Sequence, residues 1–236
     1  MDSETKISII VTHMVFDDDI WHLSANNHQH LRENTHNPHE LIFVSNASSL
    51  KYSTMLRSMC DKYVANTENL GNAKAWDQGV EVASNDIIIL MDNDVWVEKD
   101  WDIEMVERLK DNTVGIVFPC SIVGEELDKQ SAGLSVTYRC RRDGFCFGFR
   151  KSVYNKAGKF LCDQPFKLGY YEDDYFEYRV QYLLGYKLVG CSSSKVWHHG
   201  KGTSKKLWNE EFEKGVEANK AWYEEKANGR YPYLVD

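Results

Sequence analysis

The sequence predicts an α/β fold: a mostly parallel, Rossmann-like central sheet flanked by helices, with a C-terminal helix after it. Three observations predict it. Short β-branched runs alternate with segments of helical period through the N-terminal half, the order expected of a doubly wound sheet. The run Ile87-Ile88-Ile89-Leu90-Met91 is apolar without alternation, as a strand covered on both faces must be. It stops on Asp92-Asn93-Asp94, at the carboxyl end of a strand, where open α/β sheets bind their ligands.

Taken in order, Lys6 to Thr12 reads as the first, central strand, and Asp17 to Leu31 as a helix with a stripe of Ile20, Leu23 and Leu31. Glu40 to Val44 is the second strand, bounded by Asn37-Pro38 and by Ser45 to Ser49. Leu50 to Cys60 is a short helix and Tyr63-Val64-Ala65 a short strand. The turn-rich segment Asn66 to Asn72 then feeds a helix whose apolar positions are Leu70, Ala73, Trp76, Val80 and Ala83. Right-handed crossovers between these strands place their C-terminal ends on one edge. Asp100 is the expected N-cap of a helix carrying Met105, Val106 and Leu109.

Beyond the apolar run Val114 to Pro119 the pattern is less regular, and Gly124 to Gly133 is polar and loop-like. Gly144 to Arg150 alternates small and aromatic residues, as a strand lining a pocket does. Tyr175, Phe176, Val180, Leu183 and Leu184 mark a helix closed by Gly185, and Tyr186 to Cys191 a strand. Leu207 to Tyr223 places Trp208, Phe212, Val216, Trp222 and Tyr223 within one arc of a helix.

With 236 residues, 42% of them hydrophobic, the chain fills one substantial domain. A net charge of −8 argues against nucleic acid as the main partner, a modified-base acceptor aside. The six cysteines form no Cys-x-x-Cys pair and are expected as reduced thiols; with no signal peptide or apolar span in view, the expected location is cytoplasmic and not membrane-inserted.

Asp92 and Asp94 suit a hard divalent cation, Mg2+ or Mn2+, which takes carboxylate oxygens and shares its open positions with phosphates. Glu172 and Asp173 open a helix, where the dipole alone favours acidic residues, so their type does not by itself imply chemistry. The histidines between positions 13 and 39 are read as non-ligating, and Arg139 to Arg142 as a solvated basic loop.

The order of motifs resembles the GT-A glycosyltransferases of the large family 2 type. It runs Ile7 to Thr12, Val44 to Ser48, Asn69 to Ala73, Leu90 to Asp94, Tyr171-Glu172-Asp173, Leu184 to Leu188 and Val196 to His199, over residues 6 to 204. The resemblance implies a metal-dependent, inverting transfer of a sugar from a nucleotide-sugar donor, a UDP-sugar favoured, to an acceptor hydroxyl. It implies metal ligation by Asp94, Asp92 and His198, with His199 as substitute for His198, and assigns Asp173 as general base and Glu172 as the residue that orients the acceptor or the base. Donor contacts fall on Thr12, Ser45, Asn46, Asn69, Gly71, Lys74, Asp92 and Asn93. The chain departs from the family at Ser45, where an aspartate reads the base, and at Asp77-Gln78-Gly79, where Asp77 would pair with Lys74 or meet a sugar hydroxyl.

The implied organisation is a catalytic domain over residues 1–205, comprising a nucleotide-sugar half (1–95) and an acceptor half (96–205), with residues 206–236 a helical extension. A noncatalytic nucleotide-sugar binding module and a sugar-nucleotide pyrophosphorylase are the alternatives. The second normally carries a Gly-rich basic loop after the first strand, where this chain has Thr12-His13-Met14. A metal nuclease is disfavoured by the negative charge.

Overall fold

The computed structural model describes residues 5–123, 126, 129, 132–133, 135–200 and 203–235. Its first half alternates as the sequence requires: β1 (Ile7–His13), α1 (Asp18–Asn34), β2 (His39–Asn46), α2 (Leu50–Arg57), β3 (Lys62–Asn66), α3 (Asn72–Val82) and β4 (Ile87–Asp92). These four strands are parallel, with Ile10 facing Ile42 on one side and Leu90 on the other. Their C-terminal ends share one edge.

The second half adds β5 (Val95–Val97), α4 (Asp102–Leu109), β6 (Val114–Val123), β7 (Arg139–Cys140), β8 (Cys146–Arg150) and α5 (Lys151–Ala157). After α6 (Glu172–Tyr178) comes a π-helical turn, Arg179–Leu183, then β9 (Lys187–His198), α7 (Thr203–Leu207) and α8 (Glu210–Lys226). The sheet order is β3-β2-β1-β4-β8-β6-β9-β5, with β7 paired to β6. β8 runs antiparallel between β4 and β6, and β5 antiparallel to β9.

Side-chain alternation along the sheet splits the core into two layers. Ile9, Val11 and Ile89 pack with Ile20, Leu56 and Met105 of α1, α2 and α4, while Ile10, Ile88 and Leu90 pack with Trp76, Val153 and Phe176 of α3, α5 and α6. Helices therefore cover both faces, which is why β4 carries no polar residue before Asp92.

Four expectations are corrected. Asp100 does not cap α4: Trp101 holds that position, and Asp100 sits at φ +61. The buried Asp102 carboxylate fixes the helix start instead, accepting from the backbone N–H groups of His36 (2.9 Å) and Asn37 (2.8 Å). β9 extends past Cys191 to His198, because β6 resumes pairing with Lys195 to His198 after a register shift at Pro119, which has no N–H to give. The final helix is two: Asn209 caps α8 by accepting from Phe212 N–H at 2.9 Å, which separates it from α7. Finally, Cys120 and Cys140 are joined as a disulfide between β6 and β7, whereas Cys60, Cys146, Cys162 and Cys191 are free thiols. The expected polar loop at 124–133 lies largely outside the described residues. Among the described residues no helix is long and apolar enough to cross a membrane.

Candidate active site

β4 ends on Asp92, and the chain turns through Asn93-Asp94 into β5, whose Val95 pairs with His198 at the end of β9. That antiparallel pairing carries the imidazole to the two carboxylates. His198 Nε2 lies 3.3 Å from Asp94 Oδ1, and one ligand atom from each of Asp92, Asp94 and His198 falls within 4.8 Å of the others. Alternation along the extended chain separates the two histidines. His199 donates its backbone N–H to the Asp94 carbonyl at 3.0 Å, while its exposed ring lies toward Trp96, 6.1 Å between centroids.

The turn is held from α1. The buried residues of that helix are Ile20, Ser24, Asn27 and Leu31, whereas Leu23 of the expected stripe is only partly buried. Asn27 Nδ2 donates to the Val95 carbonyl at 2.6 Å, and Asn93 Nδ2 donates to Ser24 Oγ at 2.7 Å. Ser24 and Asn27 were missed in the sequence, although polar residues at helical spacing inside a buried stripe are the signal that could have found them.

The carboxylates and the imidazole perturb one another. Burial, then the charge of Asp94, pushes Asp92 up to about 7, with His198 pulling the other way. For His198, burial favours the neutral ring but is outweighed by the hydrogen bond and charge of Asp94, with Asp92 and Asp143 adding to it, so its pKa is raised. Two carboxylates and an imidazole are a sound ligand set for Mn2+ or Mg2+, so the residues present fit a divalent ion.

These groups line a cavity of ≈ 300 Å³ together with Gly144, Phe145, Tyr170, Glu172 and Asp173, the Phe145 ring stacking on His198 at 4.0 Å. Asp173 is pushed up to about 7, first by burial and then by Asp174, against the pull of backbone N–H groups and of Arg142. Glu172 is 2% exposed, its Oε2 has no hydrogen-bond partner, and burial followed by the Asp173 charge raises its pKa well above the usual range. Neighbours fix the pair. A Cβ added at Gly144 would overlap the Asp173 carboxylate, so a larger residue there requires that carboxylate to move. Arg142 pairs with Glu177 and with Asp174 at 3.3 Å, so this member of the basic cluster braces α6 and is not a solvated loop residue. Immediately before the pair, Tyr170 and Tyr171 both sit at φ +70, a left-handed conformation costing roughly 1–2 kcal/mol per non-glycine residue.

Of the donor residues expected from sequence, Thr12, Asn46, Asn69, Asp92 and Asn93 line the cavity, whereas Ser45, Gly71 and Lys74 are not on its wall. Asn46 is already engaged: its Oδ1 accepts from Leu70 N–H at 3.0 Å and its Nδ2 donates to Asn69 Oδ1 at 2.8 Å, which shapes the loop into α3. Gly71, at φ +80, admits the Lys167 carbonyl where a Cβ would stand. Asp77 meets neither Lys74 nor the cavity. It accepts from Tyr154 Oη (2.7 Å), Phe160 N–H (2.9 Å) and Leu161 N–H (3.0 Å), tying α3 to the segment after α5.

The pattern of glycosyl transferase family 2 matches residues 21–169. The chain belongs to glycosyl transferase family 2. The matched stretch of this family 2 chain includes Asp92 and Asp94 and ends ahead of Glu172, Asp173 and His198. No curated protein sequence matches it. The fold is GT-A, and three solved structures of low sequence identity share it. The mannosyltransferase PcManGT from Pyrobaculum calidifontis, in complex with GDP-Man and Mn2+, superposes with TM-score 0.69 at 16% identity, covering 98% of this chain and 67% of its own. GalNAc-T7 with UDP, GalNAc and Mn2+ gives 0.64 at 16% identity, covering 84% of this chain and 44% of its own. S. aureus TarS 1-349 gives 0.61 at 11%, covering 84% and 61%. The family 2 chain thus spans less than half the length of GalNAc-T7.

Proposed function

We propose that this chain is a metal-dependent, inverting glycosyltransferase that moves a sugar from a nucleotide-sugar donor to an acceptor hydroxyl. One observation carries the reading: Asp92, Asp94 and His198 converge within 4.8 Å on a cavity that Asp173 also lines. Asp92, Asp94 and His198 would hold Mn2+ or Mg2+. When bound, the ion supplies positive charge to the leaving nucleoside diphosphate.

The residues of the chain do the rest. Asp173 accepts the proton of the acceptor hydroxyl as its oxygen attacks the anomeric carbon. The bond from that carbon to the phosphate oxygen breaks in line, its electron pair leaves with the diphosphate, and the anomeric centre inverts. Glu172, with one oxygen unpartnered beside the base, orients the acceptor. Thr12, Asn69 and Asn93 border the donor side, where the backbone around Thr12 and the Asn69 loop present groups to the nucleoside. PcManGT and GalNAc-T7 were solved with GDP-Man and UDP, so both bases are apt probes.

The test is release of nucleoside diphosphate from a panel of UDP-sugars and GDP-mannose with Mn2+, followed alongside thermal stabilisation by UDP or GDP. Asp94→Ala is expected to lose metal-dependent nucleotide binding, and Asp173→Asn to keep it while losing turnover. A chain that no nucleoside diphosphate stabilises with any divalent ion would end the proposal.

A further inference from the structure

Asn219 lies in the middle of α8, in the stretch expected to be an extension outside the catalytic domain. It is completely buried, a polar side chain among Phe212, Trp222 and Tyr223 on the inner face of that helix. Both ends of its amide are engaged with one short segment of backbone. Its Oδ1 accepts from Phe166 N–H at 2.8 Å, and its Nδ2 donates to the carbonyls of Phe166 (2.8 Å), Gly169 (3.0 Å) and Tyr170 (3.0 Å).

This segment ends in the left-handed pair Tyr170 and Tyr171, and the next two residues are Glu172 and Asp173. Left to itself, a tyrosine leaves φ +70 for the right-handed or extended region, so the turn persists only where its surroundings over-determine it. α8 provides those surroundings. Phe166 packs edge-on to Phe212 at 5.1 Å, Tyr171 lies 5.7 Å from Tyr223, and Gly215 leaves the space that the Phe166 ring fills. The Asn219 amide supplies the directional part, because it fixes where the Gly169 and Tyr170 carbonyls point and so how the chain enters α6.

We propose that Asn219 is a positioning residue for the acceptor base: through the turn at 166–171 it fixes Glu172 and Asp173 against the cavity. The inference rests on the reading of Asp173 as base given under Proposed function. Asp92, Asp94, His198 and Thr12 are carried by β4, the turn after it, β9 and β1, so loss of Asn219 leaves them standing, although the Asn69 to Gly71 loop packs on Lys167 of this segment. A base displaced by about 1 Å loses on the order of 100-fold in rate.

The experiment uses the full chain with Mn2+ and a nucleotide sugar that the unmodified protein turns over, measuring kcat, KM and, separately, UDP and GDP affinity by calorimetry. Asn219→Ala removes the amide. Asn219→Asp keeps its size and the acceptor for Phe166 N–H but loses the donor to three carbonyls, and serves if the alanine variant does not fold. Either variant is expected to lower kcat about 30-fold or more, with donor KM and nucleotide affinity within about twofold. Combined with Asp173→Asn, either is expected to add nothing, since a misplaced base and an absent base cost the same step.

A merely structural role gives a different pattern: nucleotide affinity falls together with kcat, and the loss carries over in full to the Asp173→Asn background. That pattern, or an unchanged kcat, overturns the inference. Normal turnover by Asp173→Asn alone removes the base itself, and that failure belongs to the proposed function.

Discussion

The side-chain amide of Asn27 donates to the main-chain carbonyl of Val95 at 2.6 Å, joining α1 to the turn that carries Asp94. Both groups are buried, so removing the donor leaves a carbonyl without a partner. Asn27→Leu is expected to cost about 1–3 kcal/mol in urea unfolding. It is also expected to weaken Mn2+ binding by about 10-fold or more, because the turn presents two of the proposed ligands. Unchanged Mn2+ affinity in a destabilised Asn27→Leu protein would show that α1 supports the fold alone.

Gly144 faces the Asp173 carboxylate so closely that no side chain fits between them. Gly144→Ala is therefore expected to displace the proposed base, lowering turnover about 100-fold while UDP or GDP affinity holds. An alanine variant with ordinary turnover would mean that Asp173 has room to move without consequence.

Asp173 carries its proton up to about 7 in the metal-free protein, through burial and the neighbouring Asp174 charge, with Arg142 opposing. A base works only deprotonated, so activity rises with pH along a limb set by this group, and a cation at Asp92 and Asp94 draws that limb lower. Asp174→Asn removes a like charge and is expected to shift the limb to lower pH. Arg142→Gln removes the opposing cation and is expected to shift it higher, at some cost in stability because Glu177 is left buried and unpaired. Shifts of the opposite sign in kcat/KM profiles would exclude Asp173 as the titrating group.

Asp77 holds three donors in the core and lies away from the cavity. Asp77→Ala is expected to cost about 3–5 kcal/mol in denaturant unfolding, since a Tyr hydroxyl and two N–H groups lose their acceptor together. UDP or GDP affinity, extrapolated to the folded fraction, is expected to stay the same. A specific loss of nucleotide binding would return Asp77 to the donor site.

What the sequence made legible is what sits at the ends of elements. Asp92 and Asp94 terminate an apolar run and so stand where the pattern changes, whereas Glu172, Asp173 and His198 were singled out by the family resemblance, His198 in a strand tail that the pattern did not show. Ser24, Asn27 and Asn219 instead interrupt buried helical stripes, where a single polar residue resembles ordinary surface variation, and their partners lie 49 to 69 positions away. Gly144 and Arg142 act through space and charge on α6, which no local spacing encodes. The β9 extension was hidden because its tail pairs only after Pro119 shifts the register of β6. Asn46 lines the cavity and also shapes the next loop through Leu70 and Asn69, and a polar residue at a strand end does not tell from sequence which of the two it serves.

Diffraction from a crystal grown with MnCl2 and UDP or GDP, collected at the manganese absorption edge, tests the central claim most directly. The expected result is one anomalous peak bonded to Asp94 and His198, shared with Asp92 or its immediate shell, with the diphosphate on the ion and the Asp173 carboxylate in the same cavity. A peak away from these residues, or nucleotide bound with no ion among them, would contradict it.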